Sequence, residues 1–314
     1  MRRVGYISDP RYLEHLTGPS HPERPQRLEA ITDRVAASGL AQHLQAIAAR
    51  PAGVEWIQRV HDPGYVERVR ETCATGGRII DSMDTGISEA SFDAALLATG
   101  AALAGADALV AGEVDAAFAA VRPPGHHALR ATAMGFCLFN SAAILARYFQ
   151  DRHGLERVFI IDWDVHHGNG TQDAFYEDPG VYYFSIHQYP FYPGTGSQRE
   201  TGIGEGAGYT MNAPMPAGCG DDDYERVFEA RLIPAMETFG PQAVIISAGF
   251  DAHRDDPLAG MELTEKGYAS MTRSVLAASQ ALCPGRLLSI LEGGYDLNAL
   301  ASSVETHLGV LLDG

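Results

Sequence analysis

Short apolar runs rich in β-branched residues alternate along this chain with longer stretches in which apolar residues recur every three or four positions. The first pattern predicts buried strands and the second predicts amphipathic helices. The predicted strands are Val4–Ser8, Ala116–Val121, Val158–Asp162, Val181–Ile186, Ala243–Ser247 and Leu287–Leu291. The predicted helices lie near Pro22–Ala37, Phe92–Ala111, Ser141–Arg152, Asp222–Phe239, Thr264–Leu282 and Leu297–Leu312. This alternation is typical of an α/β fold with helices on both sides of a central, mostly parallel sheet.

No linker rich in Pro, Gly or Ser interrupts the pattern, so we expect a single domain over residues 1–314. Nearly every predicted strand is followed at its carboxyl end by Gly, His, Asp or Tyr. In open α/β sheets, ligands bind in the loops beyond that edge. The sequence therefore predicts an active site at the carboxyl ends of the strands.

The composition narrows the possible partners. A formal net charge of −17 argues against nucleic acid, which requires a basic surface. No run of about 18 uncharged apolar residues is present, so we expect no membrane-spanning helix. Asp9 and Pro10 interrupt the basic start before a signal-peptide core can form, and we expect a cytoplasmic protein. Neither a disulfide framework nor a thiolate metal site is expected from the widely spaced Cys73, Cys137, Cys219 and Cys283.

The densest group of chemically active residues is Ile161–Gly170, which reads Asp-Trp-Asp-Val-His-His after its first residue. In an extended segment alternate side chains share a face, so Asp162, Asp164 and His166 would point the same way. Two carboxylates and an imidazole suit zinc or another divalent metal. A hydrogen-bonded cluster that closes a strand fits the same pattern.

Three further motifs also follow predicted strands. His126 and His127 lie on a loop stiffened by two prolines, where they can serve as paired acid and base groups or as structural histidines. Asp251 emerges after an apolar strand and, with Asp164 and His166, would complete three metal ligands with a position open for water. Tyr295 follows two glycines and can donate a hydrogen bond to an oxyanion, or pack as part of a turn.

Taken in chain order, these motifs resemble the zinc-dependent histone deacetylase family, which has an arginase-like α/β fold. The glutamate before the paired glycines and the asparagine after the second histidine pair resemble the class II branch, since class I members typically carry Gly and Asp there. The resemblance covers most of the chain and rests on His21–Leu28, Val121–Ala128, Gly135–Asn140, Asp162–Gln172, Ile246–His253 and Glu292–Tyr295.

The resemblance implies catalytic roles at the strand ends. His127 would act as general base and later protonate the leaving amine, with His126 as its electrostatic partner. Tyr295 would stabilise the tetrahedral oxyanion. Asp162 would orient His126, and Asn169 would orient His127. Because an amide carries no charge, His127 would be less basic than it would be beside an aspartate.

The resemblance also implies bound metal ions. One catalytic zinc ion would be held by Asp164, His166 and Asp251, although these ligands do not distinguish zinc from iron(II). A potassium ion beneath it would bind mainly oxygen atoms of Asp162, Asp164, His166, Ser185 and Ile186. A second, peripheral potassium ion would lie near Phe175, Asp178 and Val181.

The family pattern further places Gly135, Phe136 and an aromatic residue near Tyr192 along a narrow substrate tunnel. Asp84 aligns roughly with a rim position that can bind the backbone amides of a substrate. Polyamine deacetylases of the family carry a glutamate at the tunnel mouth, and the matching residue here is Leu258. An apolar residue offers no partner to a second ammonium group, so the sequence favours acylated lysine over acetylpolyamines.

The sequence thus predicts a zinc-dependent amidohydrolase that removes the acyl group from N-ε-acyl-lysine in proteins or peptides. One alternative is a deacetylase of acetylpolyamines or other small acylated amines. An alternative of another class is a non-catalytic acetyl-lysine-binding protein, although a binder of that kind would be expected to have lost some of the six catalytic residues. A dinuclear arginase-like hydrolase would need a fuller set of carboxylates. The physiological substrate, the acyl length and the oligomeric state do not follow from the sequence.

Overall fold

The computed structural model describes residues 1–313 and contains two sheets with helices packed around the larger one. The strands are β1 (Val4–Ile7), β2 (Leu44–Ala46), β3 (Ile79–Ile80), β4 (Ser82–Gly86), β5 (Ala116–Ala119), β6 (Val158–Asp162), β7 (Val181–Gln188), β8 (Thr210–Met215), β9 (Ala243–Ala248) and β10 (Leu287–Leu291). The helices are α1 (Gln26–Ala37), α2 (Val54–Ile57), α3 (Pro63–Ala74), α4 (Ser91–Val110), α5 (Ser141–His153), α6 (Asn169–Phe175), α7 (Asp221–Val227), α8 (Ile233–Phe239), α9 (Glu265–Leu282) and α10 (Leu297–Asp313).

The larger sheet has eight strands in the order β2-β1-β5-β10-β9-β6-β7-β8, and every neighbouring pair is parallel. The prediction of an α/β fold with a parallel sheet is confirmed. All six predicted strands are present, and they are the six interior strands. Strands β3 and β4 form a separate antiparallel pair.

The helix predictions are correct in place and differ at some ends. Helix α1 begins at Gln26 rather than near Pro22, with Pro25 at its N-cap. Thr264 caps α9, as predicted, since its side chain accepts the Lys266 N–H at 3.2 Å. The single helix predicted near Asp222–Phe239 is divided into α7 and α8 by a π-helical turn at Phe228–Leu232.

Helix α4, predicted near Phe92–Ala111, is packed in the interior of the protein. By length and composition alone this helix is apolar enough to cross a membrane, but 78% of its most apolar window is buried inside the protein. The core helix of a globular protein has the same composition, because it too is surrounded by apolar side chains.

The four central strands of the larger sheet are β5, β10, β9 and β6, which are not consecutive in the chain. After β5 the chain moves three strand positions along the sheet to β6 and builds outward through β7 and β8. It then returns to insert β9 and β10 between β6 and β5. These four strands are buried along their whole length. Because they are parallel, the loops that follow them meet at one edge in the middle of the sheet.

Candidate metal centre and active site

Three side chains with metal-binding atoms converge beyond the carboxyl ends of β6 and β9. One ligand atom each from Asp164, His166 and Asp251 lies within 4.8 Å of the other two. His166 Nδ1 is 3.2 Å from an oxygen of each carboxylate. The carboxylates are buried, at 1% and 0% exposed. Within residues 1–313 no other group of three such side chains meets this criterion.

The chemistry of this cluster fits a divalent cation. One imidazole nitrogen carries at most one hydrogen, so it cannot satisfy two carboxylates at once. Two buried carboxylates without a full counter-charge are costly, and a bound cation removes that cost. Two carboxylate oxygens and one imidazole nitrogen suit zinc and leave a coordination position open.

Backbone N–H groups fix the two carboxylates. Asp164 Oδ2 accepts the Gly293 N–H at 2.8 Å, and Asp251 Oδ1 accepts the Val165 N–H at 2.9 Å. A Cβ atom at Gly293 would overlap the Asp251 carboxylate, and one at Gly249 would overlap Asp164. Glycine is therefore required at both positions, because backbone and carboxylate approach too closely for any side chain.

Asp162 is not one of the three residues in the metal-binding cluster. Strand β6 ends at Asp162, so the alternation of an extended segment stops there. Asp162 Oδ2 instead lies 3.0 Å from His126 Nδ1 and accepts the Tyr183 hydroxyl at 3.0 Å. Asp162 is thus positioned to orient a histidine.

The two histidines after β5 lie side by side between β6 and the cavity described below. Their ring centroids are 3.9 Å apart, and each residue is 3% exposed. His127 Nδ1 is 2.8 Å from Asn169 Oδ1. An amide oxygen only accepts, so Nδ1 carries the hydrogen and Nε2 of a neutral His127 is left as the basic nitrogen.

The surroundings push the pKa values of the two histidines apart. Burial disfavours charge on His126, but the carboxylates of Asp164 and Asp162 outweigh it and raise its pKa to about 10. Burial lowers the pKa of His127 well below its ordinary value, and the charge of His126 adds to this effect. A cation at Asp164 would weaken the upward pull on His126. The environment favours a neutral His127, which is the form that can accept a proton.

A narrow cavity of about 110 Å³ opens above the cluster. Tyr192 forms part of its wall, donates a hydrogen bond from its hydroxyl to Asp84 Oδ2 at 3.2 Å, and packs edge-on against His127. Every residue that the family pattern assigns to the tunnel or its mouth lines this cavity, together with a catalytic histidine, a cluster ligand and the tyrosine: Asp84, His127, Gly135, Phe136, His166, Tyr192, Leu258 and Tyr295.

A left-handed turn brings Phe136 to the cavity wall. Gly135 has φ +56° and Phe136 has φ +70°, a conformation that residues with a Cβ rarely adopt. A Cβ atom at Gly135 would overlap the His127 imidazole. The Phe136 ring packs edge-on against Tyr295 with centroids 5.7 Å apart, so the two rings narrow the cavity between them.

Tyr295 is held in place by a buried arginine that the sequence interpretation did not assign. Arg27 Nε donates to the Gly294 carbonyl at 2.6 Å, and its guanidinium lies 5.0 Å from the centroid of the Tyr295 ring. Burial raises the pKa of Tyr295 well above its ordinary value, so the phenol stays protonated and able to donate. Arg27 lies within the His21–Leu28 motif of the family resemblance, and that motif was the sequence signal that could have identified it.

Glu292 is a second residue whose structural role was not predicted from the sequence. Its carboxylate accepts the N–H groups of Gly125 at 2.6 Å and His126 at 3.2 Å, and the Ser247 hydroxyl at 3.2 Å. It therefore ties the loop of the two histidines to β9 and β10. The signal was a buried acidic residue directly after an apolar strand, which needs several donors to be stable.

The residues predicted to bind potassium are distributed as follows. Asp162 and Ser185 are paired in register on β6 and β7, and Ser185 and Ile186 are fully buried. At the peripheral position, the Asp178 carboxylate is already paired with Arg147 at 2.5 Å, and the Asp178 N–H donates to the Phe175 carbonyl at 3.0 Å. Val181 begins β7 nearby.

Comparison with known proteins gives a consistent picture. A model described as the histone deacetylase domain matches residues 21–311. A probable deacetylase of Archaeoglobus fulgidus is 41% identical over 98% of this chain and 85% of its own length. A histone deacetylase-like amidohydrolase of Pseudomonas aeruginosa is 39% identical over 93% of this chain and 75% of its own. A human polyamine deacetylase is 41% identical over 92% of this chain and 44% of its own.

A solved structure, the crystal structure of the HDA15 HD domain, superposes with a TM-score of 0.94 at 41% sequence identity. The superposition covers 99% of this chain and 88% of that one. The fold and the order of the strands are therefore shared over essentially the whole described chain.

Proposed function

Because this chain belongs to the histone deacetylase family, an enzyme family that cleaves acyl amides, we propose that it hydrolyses N-ε-acyl-lysine in peptides or proteins. The observation that carries the proposal is the cavity of about 110 Å³, which joins His127, Tyr295 and a cluster ligand on one narrow wall. A slot of this size suits a flexible, uncharged chain that ends in an amide.

Asp164, His166 and Asp251 would hold one zinc ion, which when bound polarises the amide carbonyl and lowers the pKa of water towards about 7. The remaining chemistry belongs to the side chains around it. Neutral His127 takes a proton at Nε2 from the attacking water while Asn169 holds its Nδ1 hydrogen. It returns that proton to the amine nitrogen as the C–N bond breaks, leaving a carboxylic acid and a free amine.

Tyr295 acts on the carbonyl oxygen. Its protonated hydroxyl donates a hydrogen bond where negative charge develops in the transition state, and removal of such a donor typically costs about 2.7–4 kcal/mol. His126 would be the electrostatic partner of His127, and Asp162 Oδ2, 3.0 Å from His126 Nδ1, orients its ring and favours its charged form.

Leu258 at the cavity supports acyl-lysine over acetylpolyamines. Acetylpolyamines are the alternative substrate class, because a similar human protein is named as a polyamine deacetylase. The one carboxylate in the cavity lining is Asp84, which is bonded to Tyr192 and could accept the backbone amides of a bound peptide. A free polyamine has no such amides to offer.

Structural potassium ions form the last part of the proposal. The first would bind beneath the cluster, where Asp162 and Ser185 are register partners and no solvent reaches. Its ligands would be atoms of Asp162, Asp164, His166, Ser185 and Ile186. A second ion would bind carbonyl oxygens near Phe175, Asp178 and Val181, since the Asp178 carboxylate is engaged by Arg147.

The test compares zinc-loaded enzyme on a fluorogenic acetyl-lysine peptide and on N-acetylputrescine. Peptide turnover should exceed acetylputrescine turnover, and Tyr295→Phe should lower kcat on the peptide by about 100- to 1000-fold. Leu258→Glu should raise the ratio of acetylputrescine to peptide turnover by about tenfold, the effect of roughly 1.4 kcal/mol from a new ion pair. Ile203→Glu, at an exposed position outside the cavity lining, is the matched control and should leave the ratio unchanged. Turnover of acetylputrescine alone would contradict the proposed substrate class.

A further inference from the structure

A buried carboxyl group behind the cavity, Asp256, has no part in the chemistry described above. It lies in the loop between β9 and α9, is 6% exposed, and is outside the cavity lining. Its Oδ2 accepts the backbone N–H of Tyr295 at 2.7 Å, and its Oδ1 accepts the backbone N–H of Leu258 at 3.0 Å. One carboxyl group therefore contacts the backbone of two residues that line the cavity.

The peptide unit between Gly294 and Tyr295 is held at both of its polar ends. Its carbonyl oxygen accepts from Arg27 Nε at 2.6 Å, and its N–H donates to Asp256. A peptide unit is a rigid plane, so holding its oxygen and its N–H fixes its orientation. This matters directly after Gly293 and Gly294, since Gly294 has φ +121° and glycine restricts its own backbone least. The two buried side chains thus set the direction in which the tyrosine side chain leaves the backbone.

The contact to Leu258 is equally constrained. The Asp256 N–H donates to the His253 carbonyl at 2.9 Å, which closes a tight turn before the carboxyl group. Pro257 has a φ fixed by its ring, and Leu258 returns its N–H to the Asp256 side chain. The position of Leu258 relative to Asp256 is therefore fixed locally, and its position relative to Tyr295 is fixed through the shared carboxyl group.

We propose that Asp256 is a positioning residue for deacylation, which holds the oxyanion-stabilising Tyr295 and the cavity residue Leu258 in a fixed arrangement. The inference rests on the proposed function, because the role of Tyr295 does. Asp256 acts through these residues and does not touch the substrate. Asp256→Asn keeps the shape of the side chain but leaves one oxygen acceptor in place of two, so one of the N–H groups loses its partner.

Kinetics in two backgrounds test this role with the zinc-loaded full chain and an acetyl-lysine peptide. Asp256→Asn should lower kcat by about 10- to 100-fold, the range expected when a catalytic group is displaced by roughly 1 Å. Zinc content and melting temperature should stay near those of the wild type. In the Tyr295→Phe background the same change should add less than about threefold, because residues that act as a unit are not additive. Asp255→Asn, whose side chain is 66% exposed, is the matched control and should have no effect.

An equal loss in both backgrounds, or an unchanged kcat in Asp256→Asn, would overturn the proposal. Hydrogen exchange at the Tyr295 amide gives a second readout that needs no turnover, and about tenfold faster exchange is expected in Asp256→Asn but not in Asp255→Asn. If the wild type cleaved no amide, the proposed function would fail. Unchanged hydrogen exchange at the Tyr295 amide in Asp256→Asn would separately overturn the positioning role of Asp256. Should Asp256→Asn not fold, Asp256→Glu replaces it, with the same expected loss of kcat.

Discussion

Two clusters of buried charge lie close to the active site and differ in how that charge is balanced. In the first, the Glu23 carboxylate is paired with Arg122 and Arg27, and all three side chains are fully buried. In the second, the carboxylates of Asp164 and Asp251 share one imidazole, and no Lys or Arg side chain is paired with either within residues 1–313. Burial is the same in both, but only the carboxylate of the first cluster has permanently charged guanidinium partners.

This difference separates a structural role from a ligand-binding role. The guanidinium groups of the Glu23 cluster use their remaining donors on backbone carbonyls. Arg122 donates to the Tyr12 and His15 carbonyls, and Arg27 to those of Glu292 and Gly294. The carboxylates of the second cluster have no guanidinium partner among residues 1–313, and this favours binding of a cation. Buried charge without a partner is thus the feature that indicates a metal site.

The largest expected effect comes from a substitution in the cluster of Asp164, His166 and Asp251. Asp251→Asn should reduce bound zinc from about one ion per chain to a small fraction, and kcat/KM on an acetyl-lysine peptide should fall about 1000-fold or more. The metal-free variant should unfold at a denaturant concentration equal to or above that of the metal-free wild type, because an uncompensated buried carboxylate is gone. Elemental analysis, kinetics and urea unfolding measure the three quantities. A variant that retained stoichiometric zinc and full turnover would contradict the assignment of the cluster.

Breaking the Glu23 cluster should lower stability and leave zinc binding unchanged. Glu23→Gln leaves two buried guanidinium groups without their carboxylate, and the free energy of unfolding should fall by about 3–5 kcal/mol. Zinc stoichiometry of the folded fraction should remain that of the wild type. Glu29→Gln, on the exposed side of α1, is the matched control and should change stability by less than about 0.5 kcal/mol. Loss of zinc with unchanged stability in Glu23→Gln would reverse the comparison.

A smaller effect of pH sharpens the same contrast. Burial alone would raise the pKa of Glu23, but Arg122 and His15 outweigh it and hold that pKa well below its usual range. A carboxyl group with a lowered pKa in the folded state contributes stability that is present above about pH 4.5 and is lost as pH falls towards the folded pKa. The stability gap between wild type and Glu23→Gln should therefore be constant from pH 7 to pH 5 and shrink by up to about 1.4 kcal/mol per pH unit below pH 4.5. Urea unfolding at several pH values measures it, and a gap that did not narrow at pH 3 would argue against a charged Glu23.

The interior of the sheet is predictable from sequence, whereas its edges are not. Interior strands such as β6 are covered on both faces and appear as continuous apolar runs. Edge strand β2 has three mostly exposed residues, and edge strand β8 mixes buried and half-buried positions and contains Pro214. Proline is tolerated there because an edge strand leaves some N–H groups unpaired. No local pattern marks such strands.

The residues that face the cavity are likewise easier to predict than those that hold the backbone. His127, Asp251 and Tyr295 stand in short motifs at strand ends, where their chemistry can be recognised. Arg27 contacts a carbonyl 267 positions away, and Asp256 an N–H 39 positions away. These contacts depend on how distant loops approach one another, which neither spacing nor composition reveals.

The order of strands has a consequence for the growing polypeptide. On the ribosome, β5 and β6 are made well before β9 and β10, yet in the sheet the later pair lies between the earlier one. A nascent chain that ends before Ala243 therefore cannot join its two halves edge to edge in the native register, and it lacks Asp251 and Tyr295 altogether. The site is complete only when β9 and β10, with the loops that follow them, enter the middle of the sheet. The exposed edges of β5 and β6 must therefore be kept from pairing with each other or with a neighbouring chain until then.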